Sequence, residues 1–240
     1  MTSCSVPSIR RDECSSRAGP CKNGVLGAGL FGGLDDDVRR ALWAHMRRRR
    51  FARGEVIFHE GDPGESLHTI VKGHVSVKTS TPRGDQAILR VLGPDDVVGE
   101  FALISPAPRA ATVTALEPTE TMMLDRDSFA TLRKEHPGVD DFLIIAAVAE
   151  VRRLSAALVE ALYLPVETRV LRRVHELAEL YRNGPTTCVP LGQDEIAQLA
   201  GVTRQTVNKV LAKAQQDGAL RIERGRLEIL DPDGIRRRCH

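Results

Sequence analysis

The chain has 240 residues, 42% hydrophobic and 28% charged, with 34 Lys and Arg against 32 Asp and Glu for a formal charge of +2. That balance excludes a disordered or fibrous chain, leaves room for two modest cores, and is too nearly neutral to identify a partner, so any basic surface must be local. Five cysteines, an odd number, argue against a secreted disulfide scaffold, and Met1 to Gly24 holds no apolar core segment, which predicts no signal peptide and a cytoplasmic protein.

Residues 1–33 are rich in Ser, Gly, Cys and charge without a sustained period, and are predicted to be a flexible tail. Cys4, Cys14 and Cys21 stand there at wide intervals, and the next cysteine is Cys188. An iron–sulfur centre usually takes four thiolates, so incidental cysteines are the simpler reading and no metal site is expected. Asp35 to Arg49 has helical character, with Leu34, Val38, Leu42 and Met46 on one face, Asp35 to Asp37 at the start and Arg47 to Arg50 as a solvated helix end.

From Phe51 the period changes. Short strands are predicted at Glu55–Phe58, Leu67–Val71, Val75–Val77, Ala87–Leu92, Val97–Val98, Ala111–Leu116 and Thr121–Leu124. Turns bound them at Glu60–Gly64, Lys72–Gly73, Pro82–Asp85 and Gly93–Asp96, the pattern of a compact antiparallel barrel or roll. Asp127 to Glu135 is predicted to be a short helix capped by Asp127.

Gly138 to Leu164 then runs without Pro or internal Gly. Ile144, Ala147, Val151, Leu154, Leu158 and Ala161 form a heptad seam, which lets one helix pair with another. Phe142, Ile145, Val148 and Leu162 flank the seam and are expected to bury a second face at home. The unbroken apolar run, Phe142 to Ala149, is too short to span a bilayer, so no membrane partner is expected.

Pro165 breaks this helix, and Glu167 to Arg182 resumes the helical period until Asn183-Gly184-Pro185. Leu191 to Ala200 is predicted to be a helix, Gly201-Val202-Thr203 a tight turn, and Arg204 onward a second helix with Thr203 as N-cap. Two short helices joined by a Gly-containing turn are a helix-turn-helix signature. Val207, Val210, Leu211 and Ala214 pack inward, while Arg204, Gln205, Asn208, Lys209 and Lys213 point outward with no acidic residue from Thr203 to Gln216. Arg204 and Gln205 suit guanine and adenine edges in a major groove, and Thr203 and Lys213 suit DNA phosphates. Ala219–Ile222 and Leu227–Leu230 are predicted to form a hairpin, hence a wing, and Arg236 to His240 a frayed basic tail in which Cys239 has no evident partner.

Within the roll, Gly99-Glu100-Phe101-Ala102-Leu103-Ile104 carries a strand into a short helical turn, and Arg109-Ala110-Ala111 follows. Backbone N–H groups at such a turn suit an anion. A carboxylate at Glu100 can accept from a sugar hydroxyl, and the Arg109 fork can hold phosphate oxygens. Residue types alone leave this reading level with an incidental surface ion pair.

The stretch resembles the phosphate-binding cassette of cyclic-nucleotide-binding domains, matched at Gly99, Glu100, Leu103, Arg109, Ala110 and Ala111, and Gly54, Gly61 and Gly73 also fit. The resemblance implies that Glu100 binds the ribose 2′-hydroxyl, that Arg109 and the Ala110 backbone bind the cyclic phosphate, and that Gly99, Phe101, Ala102 and Ala111 line the site. Many bacterial relatives carry Ser or Thr where Ala110 stands, whereas Ala is usual in regulatory subunits of cyclic-AMP-dependent kinase; the lost hydroxyl argues against cyclic GMP.

From Leu34 to Leu230 the chain resembles the cyclic AMP receptor protein/fumarate–nitrate reductase regulator (CRP/FNR) family of transcription factors. The implied fold is α+β, with a tail at 1–33, a cyclic-nucleotide-binding β-roll at 34–136, a dimerisation helix and hinge at 137–164, and a winged helix-turn-helix at 165–240. The implied protein is no enzyme but a homodimer that reads a palindromic operator under allosteric control by a cyclic nucleotide, cyclic AMP by preference. RNA polymerase stays open as a further partner. Two departures stand out: Gln205 replaces the Glu that follows the first recognition arginine in the cyclic-AMP-binding member, and Leu154–Ser155 replaces its adenine-contacting Thr–Ser pair, leaving Ser155 as the one hydroxyl. Two further readings remain, the same architecture binding DNA without a nucleotide, and a redox sensor using Cys4, Cys14 and Cys21.

Overall fold

A computed structural model describes residues 35–81, 84–104, 107–136, 138–182 and 186–239. The readings made on residues 1–34, on Pro82–Arg83, on Ser105–Pro106, on the Asn183–Pro185 helix stop and on His240 lie outside them. No helix among the described residues is long and apolar enough to cross a membrane.

Helix α1 (Asp36–His45) buries Val38 and Leu42 and ends where Met46 turns extended. The expected helix end at Arg47–Arg50 is instead strand β1 (Arg47–Phe51). Extending the helix would stack like charges at neighbouring turns. As a strand the segment pairs antiparallel with β8 (Thr119–Asp125), and Glu120 of β8 takes Arg50 at 3.0 Å and Arg48 at 3.7 Å.

The remaining strands of the roll follow the predicted alternation: β2 (Val56–Phe58), β3 (Ser66–Lys72), β4 (Val75–Ser80), β5 (Gln86–Leu92), β6 (Val97–Val98) and β7 (Thr112–Ala115). They form two antiparallel sheets, in the orders β1-β8-β3-β6 and β2-β7-β4-β5. Ile70, Val75, Leu92, Val98 and Val113 fill the space between them. The helical turn α2 (Phe101–Ile104) leaves β6, and α3 (Arg126–Glu135) follows β8. The cap of α3 is Asp125 and not Asp127: β8 runs one residue further than expected, and the Asp125 carboxylate accepts from Ser128 N–H at 2.8 Å. That bond holds the Asp125 carboxyl below its ordinary range.

Helix α4 (Gly138–Tyr163) is continuous, as the lack of Pro and internal Gly predicts. Its home face differs from the expected one. Val139 and Leu143 are buried against α1 and α3, and Ala146 is buried too, whereas Ile145, Val148 and Leu162 are 65%, 47% and 66% exposed. The helix therefore projects these three residues outward together with Ile144, Val151, Leu154 and Leu158, and the reading made on the Phe142 side chain falls outside the described residues.

Pro165 caps α5 (Val166–Leu180), which buries Val170, Leu171, Val174, Leu177 and Ala178. Helices α6 (Gln193–Ala200) and α7 (Arg204–Gln216) pack on it, with β9 (Thr187–Val189), β10 (Leu220–Glu223) and β11 (Arg226–Ile229) forming a sheet in the order β10-β11-β9. Strand β9 was not expected, because three residues carry too little period to register. The tail expected to fray is helix α8 (Pro232–Arg237), capped by Asp231 and anchored by fully buried Ile235. Cys239 is buried beside it, and its carbonyl accepts from Arg172 Nε at 3.1 Å.

The rear module docks on the roll. Leu116 and Val91 of the roll join the core of α5–α7, and β5 packs against α6. The His74 ring stacks on Tyr181 at 3.8 Å and meets Glu117 through Nδ1. A Cβ on Gly93 would come within 2.9 Å of the His74 ring and 3.1 Å of Leu180, so glycine permits this close approach.

Candidate functional site

The roll bounds an open cavity of about 290 Å³, walled largely by apolar side chains such as Phe58, Val77, Leu92, Val98 and Val113. Gly99, Glu100, Phe101, Arg109, Ala110 and Ala111 all line it, so six of the eight expected ligand residues converge. Ala102 lies in α2, and the reading made on its side chain falls outside the described residues. Ser155 is not brought there by its own chain: it stands exposed on α4, its hydroxyl donating to Val151 O at 2.9 Å.

Arg109 is the most constrained group of the site. Its side chain is 5% exposed. The backbone on either side is latched to the β2–β3 turn, Arg109 N–H donating to Asp62 O and Gly61 N–H to Arg109 O, both at 2.9 Å. Nη1 donates to Gly99 O at 3.0 Å, Nη2 donates to Ser66 O at 2.6 Å and to Ser66 Oγ at 3.2 Å, and Cζ sits 4.0 Å from the Phe58 ring centre. Nε is buried without a partner in the described chain. Gly99 has φ +85°, and a Cβ there would lie 2.4 Å from Arg109 Nη1, so glycine is required both for the turn and for the guanidinium's seat. Burial lowers the Arg109 pKa from its ordinary value. His68, behind Ser66 and Thr121, is pushed down to about 4 by burial first and then by Arg109 and Arg49, so it adds no charge near neutrality.

Glu100 is the opposite case. Burial lifts its carboxyl to about 7, Glu150 adding to the rise while Arg90 and Arg109 oppose it. One wall thus offers a fixed cation with a spare donor and a carboxyl that changes state near neutrality. The first suits an anion, and the second suits a hydroxyl.

Two polar residues of the cavity were not expected from the sequence. Arg90 and Glu150 line its α4 end and pair at 3.3 Å. The only signal was a charge inside an otherwise apolar pattern: Arg90 between Leu89 and Val91, and Glu150 between Ala149 and Val151.

At the far end of the chain Thr203 Oγ1 accepts from Thr206 N–H at 3.2 Å and starts α7 as expected. Val207, Val210, Leu211 and Ala214 are buried, and Thr203, Arg204, Gln205, Asn208, Lys209 and Lys213 are exposed on one side. Arg204 meets Asp194 and Lys213 meets Glu167, each at 3.0 Å. Both pairs are well exposed, so each is worth on the order of 0–1 kcal/mol and is readily exchanged for another anion. The β10–β11 hairpin stands beside these helices as the predicted wing.

Residues 48–136 match the cyclic nucleotide-binding domain family, and residues 168–238 match the Crp-like helix-turn-helix domain family. The chain is 31% identical over 216 residues to a CRP-like cAMP-activated global transcriptional regulator of Mycobacterium tuberculosis, covering 88% of this chain and 96% of that one. Over 102 residues it is 45% identical to a cAMP-dependent protein kinase regulatory subunit of Dictyostelium discoideum, covering 41% of this chain and 31% of that one. A solved CRP-family transcriptional regulator of Thermus thermophilus superposes with a TM-score of 0.67 at 26% identity, covering 80% of this chain and 96% of that one.

The raised Glu100 carboxyl has a measurable consequence for stability. Below about pH 4.5 the group is protonated folded and unfolded alike; between 4.5 and 7 the folded chain holds the extra proton, so its contribution falls as pH rises. Urea unfolding should therefore find Glu100→Gln level with wild type at pH 4 and more stable than wild type at pH 8. A constant difference across that range would refute the buried-carboxyl account.

Proposed function

The chain belongs to the CRP/FNR family of DNA-binding transcription regulators, and on that premise we propose that it is a homodimer whose hold on a palindromic operator is set by cyclic AMP seated in the roll. The observation that carries this reading is the convergence of Arg109, its spare Nε donor and Glu100 on one wall of an apolar cavity, in the same chain as an exposed basic recognition helix. Arg109 takes the cyclic phosphate, the backbone at Gly99 and Ala110 completes its cradle, and ionised Glu100 accepts from the ribose 2′-hydroxyl. Phe101, Ala102 and Ala111 bound the site. A cavity of about 290 Å³ suits a single mononucleotide. The cyclic-AMP-activated relative and the long match to a kinase regulatory subunit, together with Ala110, favour cyclic AMP over cyclic GMP.

The outward residues of α4 support the dimer. Ile144, Val151, Leu154 and Leu158 are 60%, 63%, 49% and 60% exposed at heptad spacing. A second copy is the partner that such a seam fits. Ser155 stands beside this seam, next to Leu154, so its role in the reading is to meet the ligand across the interface. Occupancy of the roll then changes how the two α4 helices pair, and the bend at Pro165 passes the change to the rear modules. A coupling on the order of 1–3 kcal/mol is enough for such control. Two α7 helices spaced about one DNA turn apart read the operator: Arg204, Gln205, Asn208 and Lys209 towards base edges, Thr203 and Lys213 towards phosphates. RNA polymerase is the further partner that a regulator seated on DNA would meet.

Calorimetric titration with cyclic AMP, cyclic GMP and cyclic di-GMP, followed by selection of bound DNA from a random pool, tests the whole reading. Arg109→Ala should abolish cyclic AMP binding with the circular dichroism spectrum unchanged; an unaltered titration would remove Arg109 from the site. Arg204→Ala should cost about 1–3 kcal/mol on the selected operator and relax one base position, and equal affinity would end its base-reading role. Leu158→Glu should turn a dimer into a monomer in sedimentation velocity and lower operator affinity, whereas an unchanged mass would place the interface elsewhere.

A further inference from the structure

His68 of β3 is buried and does not line the roll cavity, yet it stands directly behind Arg109. Its ring lies 6.1 Å from the centre of Phe51 and 6.2 Å from that of Phe58. Phe58 is the ring on which the Arg109 guanidinium sits. His68 Nδ1 is 3.0 Å from Thr121 Oγ1, and Nε2 is 3.4 Å from Ser66 Oγ. Ser66 Oγ in turn accepts from Arg109 Nη2 at 3.2 Å. His68 therefore backs two supports of the guanidinium at once, the hydroxyl at its edge and the ring under its face.

We propose that His68 is a positioning residue for Arg109: it orders the Ser66 hydroxyl and so fixes the plane in which the guanidinium presents its free donors to phosphate. The proposal rests on the cyclic-nucleotide reading of the cavity. A guanidinium only donates, so Ser66 Oγ must turn a lone pair towards Nη2 and its own proton elsewhere. His68 Nε2 is in reach to take that proton, which makes the ring the Nδ1–H tautomer, with Thr121 Oγ1 accepting from Nδ1. Burial first, and then Arg109, keep a second proton off the ring, so Nε2 stays an acceptor. Nη1 spends one donor on Gly99 O, and Nη2 spends both of its own on Ser66 O and Oγ, which leaves Nε and one more on Nη1 for a ligand. A hydroxyl free to turn would meet Nη2 with its proton and loosen that edge. The guanidinium would then rock on Phe58, and a phosphate would have to order it at a cost in affinity. Phenylalanine would fill the same place between two aromatic rings without burying polar atoms. The two nitrogens are what histidine adds there.

Calorimetry on the full chain tests this with cyclic AMP and with its Rp and Sp phosphorothioate analogues. The two exocyclic oxygens of the phosphate are inequivalent to a fixed guanidinium. Wild type should therefore separate the diastereomers by about tenfold or more, the worth of a hydrogen bond to a charged group. His68→Phe keeps the ring packing and removes the nitrogens. It should weaken cyclic AMP by about three- to tenfold, the worth of one neutral hydrogen bond, and bring the diastereomers within about threefold of each other. His68→Gln restores an acceptor near Ser66 and should return both readings to within about twofold of wild type. Ser66→Ala should match His68→Phe, and the double variant should be no weaker than either, since both act on one contact. If His68→Phe does not fold, Ser66→Ala and His68→Gln decide: loss in the first with retention in the second upholds the proposal, and any other pairing overturns it. Unchanged affinity and diastereomer preference in His68→Phe overturn it, as do additive losses in the double variant. A wild type that binds cyclic AMP but treats the diastereomers alike sinks the role of His68 and leaves the cavity's reading standing. A wild type that titrates with no cyclic mononucleotide sinks that reading and this proposal with it.

Discussion

Taking a guanidinium out of water costs several kcal/mol unless its donors are met. Arg109 is buried with no carboxylate within ion-pair reach among the described residues, and is held by carbonyls of Gly99 and Ser66 and the face of Phe58. That arrangement constrains much of the roll. It needs the β2–β3 turn to latch the Arg109 backbone, a glycine at residue 99, and β3 to hold Ser66 within reach. The partners in direct contact are dipoles rather than anions, and Asp62, Glu100 and Glu65 offset the cation's field only from a distance. An entering anion meets that field without first having to displace a carboxylate.

The second organising feature is the way the two halves of the chain share structure. The roll contributes Leu116 and Val91 to the core of α5–α7, and His74, Tyr181 and Glu117 form a compact polar contact beside it. Helix α4 belongs to both halves, packed on the roll through Val139 and Leu143 and facing α5 through Glu160 and Arg153 across a cleft. A shift of α4 against the roll therefore strains contacts on both sides of the molecule. A helix with an unpaired apolar surface along most of its length is suited to such a shift, because its pairing elsewhere can help decide its position.

Much of this was legible in the sequence because the relevant patterns are local. Alternation bounded by Gly, Pro and Asp located the strands of the roll, and the Gly201–Thr203 turn with Thr203 as cap located the recognition helix. What was not legible depended on distant pairing. Arg47–Arg50 reads as a helix end until β8 is known to offer an open edge and Glu120. Asp125 is chosen over Asp127 as cap by how far β8 pairs with β3. The home face of α4 is set by where α1 and α3 stop, which no heptad count contains. The tail helix did have a local signal, Asp231 followed by Pro232, the usual order of cap and first helical residue. For the site, residues 99 to 111 were readable as one cassette, whereas Arg90 and Glu150 come from β5 and α4 and meet only in the folded chain.

Among the described residues strand β1 closes one end of its sheet, and such an edge exposes backbone groups to any extended segment that approaches. Arg47 to Arg50 all stand exposed along it. Two rolls brought together rim to rim would confront four arginines with four arginines, with one Glu120 on each side to offset them, before a single ladder bond could form. The repulsion guards a flank that would otherwise invite stacking into fibres, and it leaves self-association to surfaces that carry no such charge.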